Sequence, residues 1–379
     1  MPPHLVAAAV VIKVVVILGT RPEAIKLAPV ILALQQAAGI HLEVALTGQH
    51  REMVDQVMAL FGIQADVNLD IMQPRQSLTD ITERSLRGLD DYLQGSQPDW
   101  VVVQGDTTTA FAAALAAFYQ RIPVAHVEAG LRTHDLLDPF PEEANRRLIS
   151  QLATLHFAPT TQAVDNLKRA NVVGQVILTG NTVIDALLTV ASQDPVCEIK
   201  GLDWSRHRVL LATLHRRENW GSPLEAIANA LLEILAQAPD VAIVIPLHRN
   251  PTVREPLQAK LGSHPRVFLT EPMDYRAWVG AMKQCHLILS DSGGIQEEAP
   301  ALGKPVLVLR RTTERPEAIA AGTAQLAGTD PEVIVPTVLN LLRNPDLYNR
   351  MAHANNPFGD GTASQQIVSA LLNTPLPRH

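Results

Sequence analysis

The chain has 379 residues, enough for two or three domains at roughly 150 residues per domain, and we expect two. Hydrophobic residues make up 47% of the sequence and charged residues 18%, a balance that excludes general disorder. The net charge is −7 and no run of basic residues offsets it, which disfavours nucleic-acid binding. The two cysteines, Cys197 and Cys285, form no C-x-x-C motif. This argues against a zinc site or a disulfide framework and fits a reducing cytoplasm.

The segment 5–18 is almost wholly apolar and has to be compared with a signal peptide or a membrane anchor. Lys13 interrupts it, and neither a basic n-region nor a small-residue cleavage site accompanies it. A membrane span also needs about 20 apolar residues. The segment 12–18 therefore predicts a buried first strand, and we expect a soluble protein with no membrane partner.

Short apolar runs alternate with helical patterns along the chain, which is typical of βα units around parallel strands buried on both faces. The predicted strands are 11–18, 42–46, 100–103, 123–127, 155–158, 176–178, 208–212, 241–246, 267–269, 287–290 and 305–309. The predicted helices are 24–37, 77–93, 107–119, 223–236, 331–342 and 364–372. Ser77 and Asp80 have capping-box spacing, and Asp330 precedes Pro331 as an N-cap does.

This pattern predicts an α/β fold with two Rossmann-like domains. The first series of units ends near Thr182, and the stretch 192–207, which lacks periodicity, predicts a crossing segment. We expect a first domain of residues 1–182, joined by the C-terminal helix 364–379, and a second domain of residues 183–363. Ligands of such sheets bind beyond the carboxyl ends of the strands, so the residues that follow each strand are the candidates for function.

In the first half, Arg21 and Lys26 lie in the helix that follows the first strand. A helix N-terminus with two cations can hold an anion such as phosphate, although both cations could also simply face solvent. The segment lacks the G-x-G-x-x-G fingerprint, so nicotinamide binding is not predicted.

Three acidic residues complete the first half of the candidate site. Asp106 follows strand 100–103 and either caps the next helix or belongs to the site. Glu128 follows strand 123–127 next to a glycine-containing turn, where a role in the core is hard to explain. Glu142 opens a helix, where acids are also common because of the helix dipole. We expect the three acids to converge on one crevice.

In the second half, His215 and His248 follow the first two strands. The strongest single signal comes after strand 287–290, where a serine and two glycines begin a helix and let backbone N–H groups approach phosphate oxygens. Glu298, one turn further on, is placed to accept the two hydroxyls of a ribose, and Arg315 adds a cation at the same edge. The residues of the glycine-containing segment are Ser292, Gly293 and Gly294.

These residues resemble the non-hydrolysing UDP-N-acetylglucosamine 2-epimerases, which are similar in fold to the two-domain GT-B glycosyltransferases. The resemblance extends from about residue 13 to about residue 372. It rests on the motifs GTRPEAIKLAP, GQHREM, QGDTTT, HVEAGLRT, PFPEEANRRL, TGNTVIDAL, HRREN, DSGGIQEEAP, GKPVLVLRRTTERPEA and NPFGDG.

The resemblance implies reversible conversion of UDP-GlcNAc to UDP-ManNAc without a redox cofactor, in a cleft between the two domains. It implies that the catalytic residues are Asp106, Glu128, Glu142 and His215. It implies that UDP-sugar is bound by Arg21, Lys26, His248, Ser292, Gly293, Gly294, Glu298 and Arg315. No divalent-metal cluster is evident in the sequence, so we assign no metal and no cofactor. We further expect a cytoplasmic homodimer that supplies precursors for surface polysaccharide.

The chemistry explains why several acids and several phosphate-binding groups are needed together. The C2 hydrogen of a hexosamine is not beside a carbonyl, so a single base does not suffice to remove it. Departure of UDP from C1 acidifies C2 and gives a glycal, which is then protonated on the other face before UDP returns. Acid–base groups on both faces of C2 and fixed cations for the diphosphate meet this requirement. The sequence leaves open which acid serves which face.

Three other functions are compatible with parts of the pattern. A GT-B glycosyltransferase would bind a UDP-sugar in the same way but pass the sugar to an acceptor, and it needs only one base. A hydrolysing epimerase would release ManNAc and UDP. A nucleotide-sugar sensor would bind UDP-sugar without turnover and has no use for the acids.

A further set of polar residues is not required by the elimination scheme. Gln49, Arg75, Gln76 and Arg216 lie at or near the same sheet edges. They either form a solvated rim or, as the family resemblance implies, hold a second, allosteric UDP-GlcNAc that promotes domain closure.

Overall fold

A computed structural model describes residues 11–48, 51–71, 73, 76–133 and 135–376. Within these residues the chain forms two α/β units, each built around one parallel sheet. The first unit extends to Ala186 and resumes at Phe358, and the second extends from Leu187 to Pro357. The divisions therefore lie after residues 186 and 357 instead of after 182 and 363. The helix Thr182–Ala191 continues through the first division.

The elements of the first unit alternate between strands and helices. The strands are β1 (Ile12–Leu18), β2 (Ile40–Leu46), β3 (Val67–Asn68), β4 (Trp100–Gln104), β5 (Val124–Val127), β6 (Leu155–Ala158) and β7 (Gln175–Leu178). The helices are α1 (Arg21–Gln36), α2 (Arg51–Phe61), α3 (Leu78–Ser96), α4 (Thr108–Tyr119), α5 (Glu142–Leu152), α6 (Thr161–Arg169) and α7 (Thr182–Ala191).

The second unit repeats this alternation, and the last helix belongs to the first unit. The strands are β8 (Arg208–Thr213), β9 (Val241–Pro246), β10 (Val267–Thr270), β11 (Leu287–Ser290), β12 (Val306–Val308) and β13 (Ala324–Leu326). The helices are α8 (Ser222–Gln237), α9 (Pro251–Leu261), α10 (Tyr275–Gln284), α11 (Gly293–Ala301), α12 (Pro316–Ala321), α13 (Pro331–Arg343), α14 (Pro345–Ala352) and α15 (Ala363–Asn373).

The order of strands in each sheet locates the candidate sites. Among the described residues, the first sheet has the order β3-β2-β1-β4-β5-β6-β7 and the second β10-β9-β8-β11-β12-β13. Neighbouring strands in both are parallel. The direction of winding reverses between β1 and β4 in one unit and between β8 and β11 in the other. Ligands of doubly wound sheets bind at such switch points, beyond the carboxyl ends of the strands.

The predicted α/β fold with two Rossmann-like domains is confirmed. All eleven predicted strands are present, with ends that differ by at most two residues. The short edge strands β3 and β13 were not predicted, because two or three residues carry no recognisable periodicity. The predicted caps are also present: Ser77 and Asp80 form a capping box, and Asp330 accepts a hydrogen bond from the N–H of Glu332 at 2.9 Å.

Apolar side chains of the strands and the helices that flank them form the core of each unit. Trp100 of β4 and Phe157 of β6 are fully buried in the first, and Leu210 of β8 and Leu289 of β11 in the second. None of the helices in the described part of the chain combines the length and apolar character that a membrane span requires.

Candidate active site

A buried glutamate joins the two segments at the switch point of the first unit. Glu23 of α1 accepts hydrogen bonds through one carboxylate oxygen from the N–H groups of Gly19, at 2.9 Å, and Thr20, at 2.7 Å. Its other oxygen accepts from the Thr107 hydroxyl, beyond β4, at 2.6 Å. Burial raises the pKa of Glu23. The loops after β1 and β4 are therefore held together by a single side chain.

Glu128 lies directly after β5 in the left-handed region of backbone conformation, with φ of 63°, and its side chain is almost fully buried. Lys26 of α1 donates to both carboxylate oxygens, at 2.5 and 2.7 Å. Asn181 donates to Oε1 at 3.0 Å, and Gln104, the last residue of β4, donates to Oε2. Lys26, which was predicted to bind the UDP-sugar, thus forms an ion pair with Glu128, which was predicted to be catalytic.

Asp106 is held by the helix that carries Glu142. Arg146 of α5 pairs with the Asp106 carboxylate at 2.5 Å, and the Asn145 side chain donates to the Asp106 carbonyl oxygen at 2.9 Å. Two consecutive residues of α5 therefore determine where Asp106 lies.

The alternative that Asp106 caps the following helix is wrong. Thr107 is the N-cap of α4, and its hydroxyl accepts from the N–H of Ala110 at 3.0 Å. Burial raises the pKa of Asp106 and the nearby charge of Glu128 adds to this, while the Arg146 guanidinium opposes it. A carboxyl group with a raised pKa in a strand-end cluster is suited to proton transfer.

Two ionic side chains at helix starts in this unit have no partner among the described residues. Glu142 and Arg21 are the first residues of α5 and α1, and neither side chain makes a hydrogen bond or an ion pair there. The neighbouring Glu143 differs: it is fully buried, pairs with Arg147 at 2.6 Å and accepts from the N–H of Thr133 at 2.9 Å. Glu143 therefore has a structural role, whereas Glu142 is available to a ligand.

The switch point of the second unit is organised around Asp291. The hydroxyls of Thr213 and Ser290, at the ends of β8 and β11, lie 2.6 Å apart. Asp291, the next residue, is fully buried. Its Oδ1 lies 3.1 Å from His215 Nδ1, and its Oδ2 accepts from the N–H of Arg216 at 3.0 Å. This carboxylate connects the loop with His215 to the start of α11.

His215 and His248 follow β8 and β9, which are neighbouring strands of the second sheet. Their rings are stacked with centroids 6.1 Å apart. His248 Nδ1 accepts from the N–H of Asn250 at 3.1 Å, which leaves Nε2 as its protonated nitrogen.

Two guanidinium groups lie at the first residue of α11. A Cβ atom built on Gly293 would be 3.8 Å from Arg216 NH2 and 3.8 Å from Arg315 Cζ. Ser292 is the N-cap residue, but its hydroxyl does not cap the helix. Arg315 pairs with Glu297. The start of α11 thus combines the N–H donors of a helix N-terminus, a hydroxyl and two cations, which suits a phosphate or diphosphate.

Glu298 is nearly buried one turn into α11. The Tyr275 hydroxyl, from the first residue of α10, donates to its Oε1 at 3.1 Å. The carboxylate keeps acceptor capacity beyond this bond, because an ionised carboxylate has about four lone-pair sites.

Comparison with known proteins identifies the family of the chain. The family described as UDP-N-acetylglucosamine 2-epimerase matches residues 32–372. The Neisseria meningitidis protein named UDP-N-acetylglucosamine 2-epimerase is 52% identical over 95% of this chain and 99% of its own. The Escherichia coli K12 protein of the same name is 51% identical over 95% of this chain and 98% of its own. The chain belongs to the UDP-N-acetylglucosamine 2-epimerase family.

Solved structures agree with this assignment. The Neisseria meningitidis UDP-GlcNAc 2-epimerase bound to UDP-GlcNAc has a TM-score of 0.85 and 50% identity, covering 96% of this chain and 100% of its own. A Methanocaldococcus jannaschii UDP-GlcNAc 2-epimerase in complex with UDP-GlcNAc and UDP has a TM-score of 0.74 and 34% identity, covering 95% and 99%. The fold of this epimerase-family chain is therefore GT-B-like.

The residues predicted to form a second nucleotide site are only partly described. Gln49 and Arg75 lie outside the described residues. The side-chain oxygen of Gln76 accepts from the N–H of Gln73 at 2.8 Å. Arg216 lies beside Gly293, with NH2 3.5 Å from Glu314 Oε2. The structure thus places Arg216 with the predicted phosphate-binding residues of the second unit.

The side chains that hold the predicted residues in place were not predicted. Gln104, Asn181 and Arg146 contact the predicted acids, while Asp291 contacts His215. Gln104 ends a strand, and Asn181 and Asp291 follow one. Their positions at strand ends are therefore a sequence signal by which these three residues could have been found. Arg146 gives no such signal, since it lies inside α5.

Proposed function

We propose that this chain interconverts UDP-GlcNAc and UDP-ManNAc by elimination of UDP to a glycal and re-addition of UDP. Membership in the UDP-N-acetylglucosamine 2-epimerase family supports the activity. The observation that carries the mechanism is the grouping of Asp106, Glu128 and Glu142 at neighbouring strand ends and a helix start. A transferase or a sensor does not need three carboxyl groups there.

The carboxyl groups of the first unit are assigned to the sugar. Glu128 and Glu142 are proposed as the proton carriers on the two faces of C2. Asp106 is proposed to support them, because it pairs with Arg146 of α5, the helix that begins at Glu142. Their environments differ: Glu128 is buried and bonded to a cation, whereas Glu142 is unpaired among the described residues. Different environments allow one group to act as base while the other acts as acid.

The groups of the second unit are assigned to the UDP moiety. The start of α11 and Arg315 are proposed to bind the diphosphate, Glu298 the ribose, and His215 and His248 the leaving diphosphate. Stabilisation of the departing dianion by fixed donors and cations lowers the barrier to cleavage at C1. Arg21, which has no side-chain partner among the described residues, is proposed as a further cation for the substrate. In the described part of the chain, no three His, Cys, Asp or Glu residues form a candidate metal site.

One assay tests the proposal against its alternatives. The purified protein is incubated with UDP-GlcNAc alone, and the products are separated by chromatography. We expect UDP-ManNAc. Free ManNAc with UDP would identify a hydrolysing enzyme, and the absence of any product would favour a transferase or a sensor.

The same reaction in heavy water tests the elimination step. Removal of the C2 proton and protonation from solvent place deuterium at C2 of the product and then of the substrate pool. Retention of the original hydrogen, or acceleration by added NAD, would contradict a cofactor-free elimination.

The location, the oligomeric state and the biological role are proposed as well. Both cysteines are buried and free, in line with the cytoplasmic location predicted from composition. A homodimer is proposed because it is the commonest state of soluble oligomers, and a role in supplying surface-polysaccharide precursors stays a prediction.

A further inference from the structure

Asp291 is a buried carboxylate that accepts several hydrogen bonds at the switch point of the second unit. It follows β11 directly, and its side chain has no solvent exposure. Oδ2 accepts from the N–H groups of His215 and Arg216, both at 3.0 Å, and from the Asn219 amide at 3.1 Å. Oδ1 faces the His215 ring, with Nδ1 at 3.1 Å.

These bonds decide the protonation state of the carboxyl group. Burial alone would raise its pKa, but the His215 ring and the N–H groups of His215 and Arg216 outweigh burial and hold the pKa of Asp291 below its ordinary value. The carboxylate is therefore ionised near neutral pH and can only accept hydrogen bonds. It follows that Nδ1 of His215 carries a hydrogen.

The other ring nitrogen of His215 is left for the substrate. Nε2 makes no hydrogen bond within the described residues, and the side chain is 38% exposed. A histidine with one nitrogen held by a buried carboxylate and the other open has a fixed ring orientation and a fixed tautomer.

We infer that Asp291 is a positioning residue for the epimerisation, which holds His215 with Nδ1 protonated so that Nε2 faces the UDP-sugar. The inference rests on the proposed function, since it takes His215 as a residue that acts on the diphosphate. Asp291 also directly precedes Ser292, so the same residue sets the distance between the histidine and the start of α11.

The tautomer can be measured in the unmodified protein without any substrate. Nitrogen-15 labelled histidine distinguishes an Nδ1–H ring from an Nε2–H ring by its chemical shifts, and His215→Gln assigns the signal by its loss. We expect Nδ1 of His215 to be protonated near neutral pH. An Nε2–H tautomer with Nδ1 unprotonated would overturn the inference even if every variant at position 291 failed to fold.

Asp291→Asn keeps the shape of the side chain but replaces the ionised acceptor. We expect kcat to fall by about 10² or more, because the tautomer of His215 is no longer fixed. The Kd of UDP should change much less than kcat. In the background of His215→Gln, the same substitution should change kcat only within about twofold, because its effect acts through the ring.

A purely structural role gives different results. If Asp291→Asn lowered kcat by the same factor with and without His215, or left the His215 nitrogen shifts unchanged, Asp291 would only fold the loop. Asp240→Asn is the matched control: Asp240 precedes β9 in the same unit and pairs with Arg208 at 2.6 Å. We expect it to leave kcat unchanged. Absence of epimerase activity in the unmodified protein would contradict the proposed function and leave the tautomer assignment intact.

Discussion

Lys26 Nζ lies 2.5 Å from Oε1 and 2.7 Å from Oε2 of Glu128, so one ammonium group contacts both oxygens of a carboxylate 102 residues further along the chain. Glu128 is only 8% exposed. Taking such a carboxylate out of water is costly, and the paired cation offsets that cost. The ion pair thus joins α1 to the end of β5 and stabilises the carboxylate that we propose as a proton carrier.

Lys26→Met should therefore reduce both stability and turnover. Loss of one partner from a largely buried pair leaves an uncompensated charge, and we expect the free energy of unfolding to fall by up to about 3 kcal/mol. The double variant Lys26→Met, Glu128→Gln removes both charges and should be more stable than Lys26→Met alone. Denaturant unfolding of the three proteins measures this, and equal stability of Lys26→Met and the parent would contradict the role of the pair.

Glu142→Gln should separate catalysis from folding. The substitution keeps the shape of the side chain but removes the carboxyl group, so turnover should fall by about 10² or more while UDP affinity changes little. Unfolding temperature should stay near that of the parent, because Glu142 has no side-chain partner among the described residues. If turnover fell by less than tenfold, the role of Glu142 would be only to stabilise the N-terminus of α5.

Glu143→Gln is the matched control for that experiment. It is the same substitution one residue further on, but Glu143 is buried and bonded to Arg147. We expect its main effect in the unfolding temperature. A variant of Glu143 with parental stability would show that its ion pairs with Arg147 and Arg146, at 2.6 and 3.3 Å, contribute little.

Arg315→Ala should weaken UDP binding. A lost charge-assisted hydrogen bond to phosphate raises the Kd of UDP by about tenfold to a hundredfold, as measured by calorimetry. Arg343→Ala removes an exposed cation from the end of α13 in the same unit and should leave the Kd unchanged. If both variants bound UDP like the parent, Arg315 would lie outside the nucleotide site.

His126 makes the stability of the first unit depend on pH. It lies in β5 two residues before Glu128, is fully buried, and bonds through Nε2 to the Gly105 carbonyl at 2.7 Å. Burial lowers the pKa of His126 from 6.5 to about 3. Between these values the unfolded chain binds a proton that the folded chain does not. The stabilisation is therefore complete above the unfolded pKa and is lost as the pH falls toward the folded pKa.

The expected slope is about 1.4 kcal/mol per pH unit for this one histidine. His126→Gln should reduce the slope of unfolding free energy against pH by about that amount near pH 5, since glutamine does not titrate. If the unfolding free energy had the same slope against pH in the parent and in His126→Gln, the histidine would not be held neutral.

Regulation by a second UDP-GlcNAc is the last prediction. The reverse reaction, started from pure UDP-ManNAc, should be slow until a trace of UDP-GlcNAc is added, and Arg75→Ala should abolish this activation. An effector that favours the active form by about 1–3 kcal/mol is sufficient. Immediate full-rate reversal in the unmodified protein, without acceleration by UDP-GlcNAc, would show that no second site operates.

The sequence by itself determined eleven of the thirteen strands of the described residues, several of the helices, and the edge of each sheet where the candidate site residues lie. Strands Leu155–Ala158, Val241–Pro246 and Leu287–Ser290 were predicted to the residue, because a strand buried on both faces is a continuous apolar run bounded by polar residues. The candidate residues that come directly after strands were found for the same reason, because parallel strands bring their carboxyl ends to one edge of the sheet.

Only the tertiary structure decided which side chains are partners. Lys26 and Glu128, or His215 and Asp291, are 102 and 76 residues apart, and no local pattern relates them. Their pairing depends on sheet order, which places β1 and β5 on either side of β4 and places β8 beside β11. The same reason explains why Thr107 rather than Asp106 caps α4: a distant arginine, Arg146, binds the carboxylate. Local periodicity specifies elements, whereas the choice of partner for a buried charge is made by packing across the sheet.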